Sequence, residues 1–125
     1  LKKGAYLLVD FQDYDATILA TGSEVEIACL VSKKLLENNN LRIRVVSIPS
    51  FEIFEKNNLD YKLEVLGNKS IFAIEAGVIN GWEKYVKTNN FVGMSSFGES
   101  GPYKELYDHF KINEASLIDK IINNL

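Results

Sequence analysis

Five short apolar, β-branched runs punctuate the chain, and segments with helical periodicity separate most of them. Ala5 to Phe11, Ala16 to Thr21, Arg42 to Ile48, Ser70 to Glu75 and Phe91 to Ser96 each have the length and composition of a strand. Between the second and third, Val25, Ala28, Val31, Leu35 and Leu36 recur along one face of a helix from Ser23 to Glu37, and Asn38-Asn39-Asn40 marks its end. Phe51 to Leu66 predicts one or two helices interrupted near Asn57-Asn58. Asn80 to Lys87 carries Trp82, Tyr85 and Val86 on a short helix. Ser100 caps a helix with Pro102 in its first turn and Tyr103, Leu106, Tyr107 and Phe110 on its stripe. Asn113 then caps a final helix bearing Leu117, Ile118, Ile121 and Leu125.

Strands alternating with helices imply right-handed crossovers and a parallel sheet covered on both faces, an α/β fold of three layers, α/β/α. The first two runs depart from that rule. Only Gln12 to Asp15 separates them, room for a hairpin but not for a crossover, so the first strand should run antiparallel to the rest. With no internal repeat, low-complexity tract or linker, residues 1–125 read as one α/β domain.

The turn in ILATGSEVEIA, Ile18 to Ala28, passes from a strand through Gly22 into a helix, the local layout of a phosphate-binding loop. Its chemistry argues otherwise. Ser23 and Glu26 have the spacing of a capping box, which occupies the amides a phosphate would use. Glu24 and Glu26 also place negative charge at the positive end of the helix dipole. The chain has neither a three-glycine dinucleotide fingerprint nor a GxxxxGK[ST] sequence, so a plain strand-turn-helix connection is the better reading.

Apolar residues at 46% and charged residues at 25% fit a globular domain rather than a disordered tail. A net charge of −3 and a pI near 5.2 argue against a nucleic-acid partner, which needs a basic face. No apolar run has the length of a membrane span, and the start LKKGAYLLVD does not read as a signal peptide, so a cytoplasmic location is expected. The lone cysteine, Cys29, cannot form an internal disulfide and reads as a structural thiol on a helix. A first residue of Leu1 rather than methionine points to a piece of a longer chain.

Candidate chemistry is sparse. His109 is the sole histidine and has no second ligand at metal spacing. Asp10, Asp13 and Asp15 fit a solvated turn better than a calcium loop, since the segment carries neither the glycine nor the terminal glutamate of an EF-hand. No serine sits in a nucleophile elbow. Glu75, in IFAIEAG at the carboxyl end of the most apolar strand, stands where open α/β sheets bind ligands. A carboxylate there can equally tie down backbone amides, and with no second catalytic partner tying is favoured.

Four segments, ATGSEVEIA (20–28), VVSIPSFEIFEK (45–56), IEAGVINGWEKYV (74–86) and FVGMSSFGESGPYKELYDHFKI (91–112), together resemble the C-terminal domain of transketolase in order along nearly the whole chain. Related domains of deoxyxylulose-phosphate synthase and of 2-oxoacid dehydrogenase β subunits differ at VSIPSFEIF and FGESGP. The resemblance implies a five-stranded mixed sheet in the order 1-3-2-4-5 with strand 1 antiparallel. It implies a parent that is a homodimer of the pentose phosphate pathway, moving a two-carbon ketol unit from a ketose phosphate to an aldose phosphate. Thiamine diphosphate and a divalent metal, magnesium or calcium, serve that parent and are held by its preceding domains. No catalytic, cofactor or metal residue therefore carries over onto this chain. The implied partners are the other domains of the same chain and the second subunit. With the order 1-3-2-4-5 the switch point falls between strands 2 and 4, so Gly22 and Ser23 should face Glu75 and Gly77 across a crevice. Trp82 and Tyr85 are the candidate interface aromatics. An independent or regulatory small-molecule module using that crevice is the alternative to a domain with an assembly role.

Overall fold

The second apolar run forms a strand buried on both faces, and the architecture follows from it. β2 (Ala16–Ala20) is buried at every residue, which requires covering layers above and below the sheet. The computed structural model of the protein describes residues 5–21, 24–48, 51–75, 90–93 and 103–125, with the side chains of 51–52, 75, 93 and 103–113 outside that description. The chain runs β1 (Tyr6–Val9), β2, α1 (Glu24–Asn39), β3 (Ile43–Ser47), α2 (Phe51–Glu55), α3 (Leu59–Leu66), β4 (Ser70–Glu75), β5 (Phe91–Gly93) and α4 (Tyr103–Asn124).

The strands form a five-stranded sheet in the order β1-β3-β2-β4-β5. β3, β2, β4 and β5 are parallel, and β1 alone is antiparallel. The reversal expected from the short first connection is present. Its strands are not hydrogen-bonded neighbours, because β3 lies between β1 and β2.

The period-two alternation of the strands divides the core into two layers. Ile18, Ala20, Ile43, Val45, Phe72 and Ile74 face one side and pack with Ile27, Ala28, Val31 and Leu35 of α1 and with Leu117 and Ile121 of α4. Leu19, Val46, Ile48 and Ala73 face the other side, where Phe54, Val65 and Leu66 of α2 and α3 cover them. Burying each of the valine, leucine, isoleucine and phenylalanine side chains among them contributes about 1.5–3 kcal/mol relative to exposure.

Helix ends follow local chemistry. α1 stops among its asparagines: Asn40 takes a positive φ of 55°, and the Leu41 amide donates back to the Leu35 carbonyl at 3.1 Å. The break near Asn57-Asn58 separates α2 from α3, with the Asn58 side chain accepting from the Tyr61 amide at 2.9 Å as a helix cap. Gly67 closes α3 at φ 77°, its amide donating to Leu63 O at 2.8 Å.

Three details differ from the sequence expectation. α4 is one continuous helix through Asn113, not two. It contains neither glycine nor proline, and an asparagine in a helix interior costs well under 1 kcal/mol relative to alanine, too little to break the backbone ladder. Leu36 and Leu125, assigned to apolar stripes, are exposed, because the layers are filled by residues one position away or closer to the sheet. Ile27 and Ser32 are buried instead, with the Ser32 hydroxyl donating to Ile43 O at 2.7 Å.

Candidate functional site

The carboxyl edge of the parallel strands holds the expected switch point. From β2 the chain proceeds to β3 on one side, and from β4 to β5 on the other. Ala20 of β2 pairs with Ile74 of β4, so Glu75 lies one step further out, level with Thr21 and opposite Gly93 of β5. The Glu75 backbone is therefore one residue from the Gly22 turn in register. Its side chain lies outside the described residues, as do Gly22, Ser23, Gly77, Trp82 and Tyr85. At the start of α1 the Glu24 amide donates to Thr21 O at 3.1 Å. Glu24 is 1% exposed and Glu26 is exposed, so acidic side chains already occupy the positive end of the dipole.

The opposite, amino edge carries a cleft of about 790 Å³, whose lining includes Tyr14, Asp15, Arg42, Gly67, Asn68 and Lys69. Its walls are built by mutual bonding. Asp15 and Arg42 bind reciprocally: the Asp15 amide donates to Arg42 O at 2.7 Å, and the Arg42 amide donates to Asp15 Oδ2 at 2.8 Å. Asp15 is thus more than the solvated turn residue its composition suggests. The Tyr14 hydroxyl donates to Asn68 Oδ1 and accepts from the Asn68 amide, both at 3.1 Å.

Behind Tyr14 lies Arg44, an arginine in the middle of an apolar strand and only 5% exposed. Its Nη2 donates to Val65 O, and more weakly at 3.4 Å to Glu64 O, the carbonyls at the negative end of α3. The guanidinium lies 4.5 Å from the Tyr14 ring centroid in a cation-π contact. Nε is 3.9 Å from Asp10 Oδ1, too long for a hydrogen bond, and Asp10 is largely exposed, so that pair adds little. Composition treats the two arginines only as charge; the signal for Arg44 is a cation inside IRVVS. This edge is a structural cluster. Nothing in it pairs an acid with a base around a reacting atom, and sheets of this type bind at the other edge.

Of the other candidates from the sequence, Cys29 behaves as a structural group. Cys29 is half-buried against the α1 side of the core, and burial pushes its thiol above the usual range. A raised thiol is a poor nucleophile at neutral pH. His109 lies on α4 with its side chain outside the described residues. Among the described residues no three His, Cys, Asp or Glu side chains converge as a metal site, and no helix is long and apolar enough to cross a membrane.

These features define a doubly wound α/β domain with an antiparallel edge strand and a switch point between β2 and β4. Residues 4–113 match the family model described as the transketolase-like TK C-terminal domain. The chain belongs to that family. It is 40% identical over 124 residues to a transketolase of Sinorhizobium medicae, spanning 98% of this chain but 18% of the relative. The solved transketolase from Leishmania mexicana superposes with a TM-score of 0.81 at 39% identity, over 94% of this chain and 17% of that one. That from Campylobacter jejuni gives 0.81 at 35% identity, over 98% and 19%. The chain thus spans about a fifth of the length of the transketolases it matches.

Among the described residues no group of side chains is arranged to hold the metal and diphosphate of thiamine diphosphate. A diphosphate-metal site needs several oxygen donors around one ion, and the described carboxylates are dispersed: Asp15 accepts the Arg42 amide, Glu114 pairs with Lys34, Asp10 lies at the surface and Glu24 is buried at the start of α1.

Proposed function

We propose that this chain serves as the C-terminal assembly domain of a thiamine-diphosphate-dependent transketolase. In this reading residues 1–125 fold as one domain of a longer polypeptide. The parent transfers a two-carbon ketol unit from a ketose phosphate to an aldose phosphate in the pentose phosphate pathway, as a cytoplasmic homodimer. The cofactor and its magnesium or calcium ion bind other domains. One observation carries the proposal: similarity to whole transketolases runs over 98% of this chain while occupying 18% of theirs. The independent small-molecule module finds no support among the relatives.

Glu75 is assigned a tying role within this proposal. Level with Thr21 at the switch point, its carboxylate accepts amides of the adjoining turns, and Trp82 and Tyr85 belong to a surface covered in the parent. The reading frame upstream of Leu1 tests the parent directly: several hundred residues with a GDG diphosphate motif are expected, and an immediate stop codon overturns the proposal. Calorimetric titration of the 125-residue chain with thiamine diphosphate and magnesium should show no heat of binding, and micromolar affinity would refute the assignment of the cofactor to other domains.

A further inference from the structure

We draw no further inference here: the strongest candidate, the apolar surface patch of Tyr6, Leu7 and Leu8 on the edge strand β1, is an unpartnered face, and nothing among the described residues shows what covers it.

Discussion

Replacing Gly67 with alanine should destabilise the domain by about 2–4 kcal/mol, through two separable causes. Gly67 has φ 77° and ψ −178°, a region that only glycine occupies readily, where a side chain costs about 1–3 kcal/mol. A Cβ built there would also lie 2.5 Å from the Tyr14 hydroxyl and 3.0 Å from its ring carbon Cζ. Tyr14 cannot yield freely, since Asn68 holds its hydroxyl at 3.1 Å and Arg44 lies 4.5 Å from its ring centre. Displacing it forfeits a hydrogen bond of about 1 kcal/mol and a cation-π contact of about 0.5–2 kcal/mol. Against this, alanine lowers the entropy of the unfolded chain, a gain of about 0.4–1 kcal/mol. Urea denaturation at constant m-value measures the net cost, which at roughly 4 °C per kcal/mol also lowers Tm by roughly 8–16 °C. The same substitution in a Tyr14→Ala background should cost about 1.5–3 kcal/mol less, because the collision is gone and the backbone strain remains. A cost below about 0.5 kcal/mol, or one that does not change with Tyr14 removed, refutes this account.

Arg44→Met keeps the bulk of the side chain but leaves the last carbonyls of α3 unpaired; a loss of about 2–4 kcal/mol in denaturant unfolding is expected, whereas Arg42→Met, whose guanidinium makes only a 3.4 Å contact to Asp13 O, should cost much less. Cys29 should alkylate more slowly than a free cysteine near neutral pH, because burial raises its thiol above the ordinary value of 9.0; competition with a model thiol measures this. The sign for stability follows: the folded state holds the proton more tightly, so this contribution is full below the ordinary thiol value and is lost as pH rises through the raised one, a decline that Cys29→Ser should abolish. Glu75→Ala should lower stability by a few kcal/mol while Glu75→Gln, which retains an acceptor, costs less; a large loss of turnover in the parent with unaltered stability would make Glu75 a ligand-binding group instead.

Much of this architecture was legible in the chain because it rests on short-range rules. Period-two runs place five strands, and the brevity of Gln12–Asp15 dictates that β1 reverses. Asn58 announces the cap that separates α2 from α3. Spacing alone fails where a local signal is weak beside a continuing hydrogen-bond ladder, as at Asn113, and where a stripe extends past the layer that would cover it, as at Leu36 and Leu125. The similarity to transketolase, read from four segments, supplied the strand order that periodicity cannot, since nothing local decides that β3 inserts between β1 and β2.

The tertiary structure alone decided what becomes of particular polar groups. Arg44 looks like a misplaced charge within an apolar strand until α3, twenty residues on, brings its terminal carbonyls to the guanidinium and Tyr14 stacks against it. Gly67 is an ordinary turn glycine in sequence; beyond its backbone conformation, the close approach that bars a side chain comes from Tyr14, 54 positions from the neighbouring Asn68. Tyr6, Leu7 and Leu8 look like core residues by composition and become surface because their strand falls at the sheet edge. Elements arise from interactions between near neighbours along the chain, whereas burial and partnership depend on contacts between distant segments, and those are fixed only when the layers close.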